Sequence, residues 1–281
     1  MNKPSWLLEI PADDYHQATK LDQYITSHRL AVYRRDPLEY KQRRDGVIKD
    51  KDTTAFLIGR AVHVLILEGK ERFDEEFLVG DGPINPKTGE AYGHLTKAFK
   101  DWAAAQEKPV IGTEDFATFD AMREAVHAHP VAKGLLAEGI AEGTIRTKWD
   151  EKLAVQARLD WFNPETGDLV DLKTCQDLDR FNYDIRDYGY TFQLAFYRRC
   201  IDFASAGTYQ TPINCWLVAV EKKQPYRVAV VRVSEPTIED SASHHMGGEN
   251  WRDDNDAMMA ELYLSLRDNT WVTRYEKTII I

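Results

Sequence analysis

The chain has 281 residues, of which 43% are hydrophobic and 29% are charged, the proportions of a globular protein with a sizeable core. It contains neither a run of about 18 apolar residues nor a basic, apolar secretion signal, so we expect no membrane span and a cytoplasmic location. The formal net charge of −10 argues against a non-specific basic nucleic-acid binder, but it is compatible with a metal-dependent enzyme that concentrates carboxylates at its site.

The first half of the chain predicts helices. Residues 14–51 mix helical patterns with many Arg, Lys and Tyr residues, which form either a solvated helical face or a basic wall beside DNA. Thr53 then precedes AFLIGRAVHVLILEG, a nearly all-apolar segment that ends at Gly69. It predicts a helix that is buried on most sides, with Thr53 as a cap. A loop rich in Gly and Pro follows, and a helical region covers about 94–138.

The second half alternates strands and helices. IRTKWDEKLAVQARLDWFN predicts two strands, NPETGD a turn and DLVDLKT a third strand. A helix is expected over about 179–205, followed by the strands NCWLVAVEK and YRVAVVRV and by helices over about 235–267. The terminal TIII is either an added strand or an interaction tail.

This order predicts one α/β domain in which helices flank a central mixed sheet. Within this single domain we expect a helical N-terminal part over about 1–140, a sheet core over about 141–235 and a helical C-terminal part over about 236–281.

The second and third strands carry the residues that suggest chemistry. Alternation places Arg158 and Asp160 on one face of the second strand, and Asp171 and Lys173 on one face of the third. If the strands pair through the turn, the two aspartates converge. Neighbouring carboxylates repel each other unless a cation lies between them, and their hard oxygens suit Mg²⁺ or Mn²⁺.

The two cations beside these aspartates complete the pattern. Lys173 would orient or activate a water molecule, and Arg158 would bind a phosphate through paired hydrogen bonds. The set predicts metal-assisted phosphodiester hydrolysis. From spacing alone, a surface hairpin with Asp–Lys salt bridges is the alternative.

Four motifs in order resemble the PD-(D/E)XK nuclease superfamily and, within it, the RecE-type exodeoxyribonucleases (exonuclease eight). They are GRAVH with His63, RLD with Asp160, VDLKT with Asp171 and Lys173, and the QxxxY element of Gln193 and Tyr197. The likeness extends from about Tyr15 to Tyr275. The first motif reads LD in place of PD, and an Asp precedes xK, both of which the superfamily tolerates.

The resemblance implies a role for each matching residue. The metal ligands would be His63, Asp160 and Asp171, with the carbonyl of Leu172 and the carboxylate of Glu142 as further ligands. Lys173 would position or activate the water, and Gln193 and Tyr197 would support the site or touch the DNA backbone. Taken singly, His63 and the Gln193–Tyr197 pair would be ordinary core residues of apolar or amphipathic helices.

The resemblance also implies an activity and partners. Linear double-stranded DNA would be degraded from its 5′ end to leave 3′ overhangs for homologous recombination, by a ring-shaped tetramer of bacterial or phage origin that works with a single-strand-annealing protein. A structure-specific or restriction-type endonuclease and a non-catalytic DNA-end-binding recombination protein remain alternatives. Three widely spaced cysteines, Cys175, Cys200 and Cys215, exclude the four-cysteine iron–sulfur cluster of some relatives. Digestion polarity, processivity, metal count and oligomeric state are not fixed by the residues themselves.

Overall fold

A five-stranded mixed sheet forms the centre of the chain, for which the computed structural model describes residues 3–49, 54–93, 95–240 and 255–276. The strands lie side by side in chain order, and every neighbouring pair is antiparallel except β5 and β6, which are parallel. The strands are β3 (Ile140–Trp149), β4 (Leu153–Asn163), β5 (Asp168–Cys175), β6 (Asn214–Glu221) and β7 (Val228–Val233). The mixed central sheet predicted from the sequence is therefore confirmed.

Helices precede, interrupt and follow this sheet. Those before it are α1 (Ala12–Lys20), α2 (Ser27–Arg35), α3 (Pro37–Arg44), α4 (Thr54–His63), α5 (Lys70–Glu76), α6 (Lys97–Ala104), α7 (Thr113–Ala128) and α8 (Pro130–Leu135). A small parallel pair, β1 (Leu78–Val79) and β2 (Val110–Ile111), lies among them. Between β5 and β6 come α9 (Phe181–Asp187) and α10 (Tyr190–Ser205), and after β7 come α11 (Glu235–Asp240) and α12 (Asn255–Asp268).

The sheet buries apolar side chains on both faces. Alternation along β6 sends Leu217 towards a core that includes the buried residues of α10, whereas Val218 joins a second core with α4 and α7. A strand that is covered on both faces must be apolar at successive positions, which explains the run CWLVAV in β6. The sheet is thus the middle layer between two helical layers, as the sequence predicted.

A turn of π-helix, Val64–Glu68, continues α4 directly after His63. Its hydrogen bonds join residues five apart in place of four: the amide of Gly69 donates to the carbonyl of Val64 at 3.0 Å. A π-helix inserts one extra residue into a helical turn and is rarely longer than this. The predicted helix over this apolar segment is therefore present, but its last turn is widened.

Two sequence expectations needed correction. The helix expected over about 179–205 is divided into a 3₁₀ turn (Leu178–Arg180), α9 and α10, because the chain passes through the left-handed region at Gly189 (φ 67°). The region expected to be helical over about 94–138 also contains β2. The predicted cap Thr53 and the TIII tail lie outside the described residues, and the division of the domain into three parts stays a prediction.

The three cysteines are buried and carry free thiols. Among the residues that the structure describes, no helix is both long enough and apolar enough to cross a membrane.

Candidate active site

The candidate site lies where β4 and β5 separate. Their ladder runs from the Asn163–Asp168 pair to the Trp161–Val170 pair and stops before Asp160 and Asp171. The amide that loses its ladder partner is that of Leu172, and it donates instead to Asp160 Oδ2 at 2.8 Å. The separation makes room between the two strands for the carboxylates that the sequence placed there.

The strand pattern also changes on β3, opposite Asp160. Glu142 adopts a left-handed backbone (φ 54°) and drops out of an otherwise continuous β3–β4 ladder. On β4, Leu159 and Phe162 enter the same core, although residues three apart on a regular strand face opposite sides. This local irregularity puts Glu142 and Asp160 beside each other at one level of the sheet.

Three side chains come together at this level. One ligand atom each of His63, Glu142 and Asp160 lies within 4.8 Å of the other two. His63 is the last residue of α4, so it reaches the sheet from the helical layer. All three line a cleft of about 340 Å³, whose walls include Tyr15 and His16 of α1 and Arg60 of α4.

The electrostatics of this cluster favour a bound cation. Burial, and then the neighbouring Asp160, raise the pKa of Glu142 to about 7. Burial also raises the pKa of Asp160, although Lys173 and the amide of Leu172 oppose this. Burial and then Lys173 lower the pKa of His63 to about 4, which leaves its imidazole neutral and able to act as a ligand.

Asp171 and Lys173 form a second group next to the first. Lys173 Nζ lies 2.6 Å from Asp171 Oδ2, yet neither oxygen of Asp171 accepts a well-directed hydrogen bond from the described residues. Burial raises the pKa of Asp171 to about 6, opposed by Lys173. Lys173 supplies one positive charge to this buried carboxylate, and the other oxygen, Oδ1, has no partner among the described residues and could bind a second cation.

A chain of hydrogen bonds holds Lys173 in place. Its Nζ donates to Gln193 Oε1 at 3.0 Å, and Gln193 Nε2 donates to the hydroxyl oxygen of Tyr197 at 2.7 Å. The ammonium also lies over the ring of Tyr190, 4.5 Å from its centroid. The QxxxY element thus contacts the lysine of the VDLKT motif.

Arg158 is engaged by protein groups. Its Nε donates to Glu142 Oε2 at 2.5 Å, and its Nη1 donates to the carbonyl of Ile10 at 2.7 Å. The guanidinium that the sequence suggested as a phosphate ligand therefore holds a carboxylate of the cluster. Its role as a substrate-binding residue stays a prediction.

The structure thus brings His63, Glu142 and Asp160 into one cluster, and Asp171, Lys173, Gln193 and Tyr197 into an adjoining one. Asp171 stands outside the three-residue cluster, and the observed contact of Leu172 is made by its amide. Sequence reasoning passed over Arg60, a wall residue of the cleft. Its position three residues before His63 in GRAVH was the available signal, because residues three apart share a helical face.

The residues fit a divalent metal ion. Carboxylate oxygens and a neutral imidazole are donors that Mg²⁺ and Mn²⁺ accept, with the carboxylates being the harder ligands. A bound ion would lower the raised pKa values of Glu142 and Asp171, and it would also give a partner to the Asp171 oxygens that lack a hydrogen bond. The individual roles of these residues remain predictions.

A family model described as "PDDEXK-like domain of unknown function (DUF3799)" matches residues 33–248. The chain belongs to this PDDEXK-like family. The superfamily and the fold class predicted from the four motifs are thereby confirmed. The match includes every residue of the candidate site except those of α1 and the segment before it.

Two solved structures are similar to this member of the family. A crystal structure from Eubacterium rectale, described as "Putative exonuclease", has a TM-score of 0.63 and 12% identity, with 98% of this chain and 96% of that chain covered. A phage related exonuclease from Haemophilus somnus 129PT gives a TM-score of 0.34 and 14% identity, with 74% and 94% covered. At 12% identity the first likeness shows a shared fold. No curated protein matches the sequence.

Proposed function

We propose that this PDDEXK-like protein is a divalent-metal-dependent nuclease that hydrolyses phosphodiester bonds in DNA. The observation that carries the proposal is the cluster of His63, Glu142 and Asp160 at the strand separation, within reach of the Lys173–Asp171 pair. A catalytic site of this class needs metal ligands, a group that handles the attacking water and a cleft for the phosphate, and the residues around this cleft could supply each of them.

The chain's own residues would divide the work as follows. His63, Glu142 and Asp160 would hold Mg²⁺, or Mn²⁺, with Asp171 as a further ligand. The ion supplies Lewis-acid stabilisation of the phosphate charge when bound. Lys173, fixed by Gln193, would orient the attacking water through its ammonium. Tyr197 would hold the amide of Gln193 so that its oxygen faces Lys173.

Within this class we propose an exonuclease that acts on the ends of linear double-stranded DNA, with 5′ to 3′ polarity, leaving 3′ overhangs for recombination. The support is the ordered set of GRAVH, RLD, VDLKT and QxxxY motifs, which resembles RecE-type enzymes. The name given to the Eubacterium rectale protein agrees with this choice. The resemblance further supports a tetrameric ring and a single-strand-annealing partner, both as proposals.

The deciding experiment compares linear and covalently closed circular duplex DNA. Wild type should degrade linear duplex in Mg²⁺, leave the closed circle intact and stop in EDTA. With 5′ polarity, a label on the 5′ end should be released before a label on the 3′ end. Asp160→Asn should be inactive. Asp150→Asn, in the turn between β3 and β4 and exposed to solvent, is the matched control and should keep full activity.

Other outcomes separate the alternatives. Nicking or linearisation of the closed circle would favour an endonuclease of the same superfamily. DNA-end binding by the wild type without cleavage in either Mg²⁺ or Mn²⁺ would favour a non-catalytic recombination protein and would contradict the proposed hydrolysis.

A further inference from the structure

Arg60 occupies the cleft wall on the same helical face as His63. The two residues are three apart on α4, and both line the cleft with Arg158 and Glu76. The guanidinium of Arg60 is therefore held about one helical turn from the metal-binding cluster.

The hydrogen-bond donors of Arg60 are poorly used within the protein. Its Nη2 lies 3.4 Å from Glu76 Oε2, and its Nη1 lies 3.8 Å from Asp13 Oδ1. Charge-assisted N–H···O bonds are usually about 2.7–2.9 Å long, so neither contact is a strong one. Its Nε is buried and has no hydrogen-bond partner among the described residues. Because Nε is buried, the donors open to a ligand are those of the two Nη groups, which belong to a side chain that is 34% exposed.

The surroundings fix the orientation of this guanidinium without occupying its donors. It stacks over the ring of Phe77, 5.1 Å from the centroid. Stacking covers the flat face of a guanidinium and leaves the N–H groups at its edge available to an anion. Glu76 has a better partner in Arg72, whose Nη2 lies 2.7 Å from its other carboxylate oxygen.

The neighbouring Arg158 differs in this respect. Its Nε and Nη1 donate to Glu142 and to the carbonyl of Ile10, so its charge is matched by a cluster carboxylate and its donors are used. Of these two cleft arginines, Arg60 is the one that retains donors for an incoming phosphate.

We propose that Arg60 binds a backbone phosphate of the DNA strand in the cleft, adjacent to the phosphate that is cleaved, and that Arg158 is a positioning residue for Glu142. This assignment rests on the proposed nuclease function and transfers the phosphate contact from Arg158, where the sequence suggested it, to the GRAVH motif. The ligand is a phosphodiester monoanion, recognised through paired N–H donors.

The test measures DNA binding separately from cleavage. Fluorescence anisotropy of a labelled duplex is recorded over a salt series with Ca²⁺ in place of Mg²⁺, and gels verify that the DNA stays intact. Arg60→Gln should weaken binding about tenfold at low salt and reduce the slope of log K against log salt by about 1, as expected for the loss of one phosphate contact. Arg60→Lys should restore part of the affinity.

Two variants serve as controls. Arg123→Gln removes the same charge from α7, at a side chain of nearly equal exposure (33% against 34% for Arg60) that does not line the cleft, and should bind as the wild type does. Arg158→Gln should keep the wild-type slope but weaken Mn²⁺ binding measured by calorimetry, because Glu142 loses its donor. Equal losses of slope in the Arg60 and Arg158 variants would overturn the assignment.

A second measurement uses the folded wild type. Duplexes with a single neutral methylphosphonate are scanned across the backbone positions nearest the duplex end. At one position the neutral linkage should weaken binding by wild type but not by Arg60→Gln. If no position shows this coupling, Arg60 does not bind a phosphate there. Because the scan is done in Ca²⁺, it stays informative if the wild type proves unable to cleave, an outcome that would refute only the nuclease proposal.

Discussion

The carboxylate of Asp160 takes the place of a strand ladder bond: its Oδ2 accepts the amide hydrogen of Leu172 at 2.8 Å, where β4 and β5 part. The same side chain therefore closes a gap in the sheet and contributes to the cluster with His63 and Glu142. These two tasks can be separated by mutation.

We expect Asp160→Asn and Asp160→Ala to lose cleavage equally but to differ in stability. The Asp160→Asn side chain keeps an oxygen that accepts the hydrogen bond from the Leu172 amide, and it removes a buried charge. The unfolding free energy of this variant in EDTA should therefore equal or exceed that of wild type. Alanine leaves the amide without its partner, at a cost of about 1–3 kcal/mol. Urea denaturation of the three proteins checks this. Equal stability of the two variants would show that the Leu172 contact contributes nothing.

Lys173 and Gln193 should act as one unit. Lys173→Gln removes the ammonium beside Asp171, and we expect single-turnover cleavage to fall by about 10²–10⁴, the range of a positioned proton-handling group. Gln193→Ala frees the lysine and should cost about tenfold. In the double variant the second change should add little, because its effect passes through Lys173. Additive losses in this cycle would show that Gln193 acts independently, for example on the DNA. Lys148→Gln, an exposed lysine on β3, is the control.

Stability without metal should decrease as pH rises. The pKa of Glu142 is raised from 4.5 to about 7 and that of Asp171 from 3.8 to about 6, so the folded protein binds more protons than the unfolded chain between these values. Their stabilising contribution is full below the unfolded pKa values and is lost by about pH 7. The lowered pKa of His63 acts in the opposite direction between about 4 and 6.5.

Glu142→Gln isolates the contribution of Glu142, since His63 affects both proteins alike. In EDTA, the thermal midpoint of wild type should decrease relative to that of Glu142→Gln as the pH is raised from about 5 to about 8. Ca²⁺ should raise the wild-type midpoint more at the higher pH, because protons compete with the ion for the carboxylates. A metal-induced rise that is the same at both pH values would refute the linkage.

The β4–β5 turn depends on one glycine. Gly167 has φ +75°, and a Cβ added there would collide with the carbonyl oxygen of Pro212. Gly167→Ala should therefore lower the unfolding free energy by at least about 2 kcal/mol, the combined cost of backbone strain and a clash with main chain. Gly134→Ala, in α8 with nothing within 4 Å of the added Cβ, should instead raise it by about 0.5–1 kcal/mol. Denaturant midpoints of the two variants give the comparison. Equal changes in both would indicate that the turn relaxes around the new methyl group.

Local signals explain what the sequence predicted well. The turn NPETGD and the alternation on each side of it depend on neighbouring residues, so the hairpin of β4 and β5 and the positions of Asp160 and Asp171 could be expected. The mixed sheet followed from the order of strands and helices. In each case the pattern needed no knowledge of distant contacts.

Features that depend on distant parts of the chain were not predictable in this way. Regular alternation gives no sign that β4 and β5 separate at Asp160 or that Glu142 leaves the β3–β4 ladder opposite it. The partner of Arg158 Nη1 is the carbonyl of Ile10, which lies 148 positions away in sequence. The contacts that immobilise Arg158 and leave Arg60 available arise from tertiary packing.

The widened turn that follows His63 sets the rotational phase of α4 relative to the segment after it. His63 and Glu68 are five residues apart and both face the cleft, which a turn of about 4.4 residues allows and one of 3.6 residues does not. Deleting one residue from 64–68 should therefore restore ordinary α-helix with α4 still in phase, because four α-helical residues turn the chain by about 400°, nearly as far as the five residues of the π turn. Closing all five residues into ordinary α-helix would instead rotate α4 by about 90°. His63 and Arg60 would then leave the sheet together, and the metal ligand and the proposed phosphate contact would be lost at the same time.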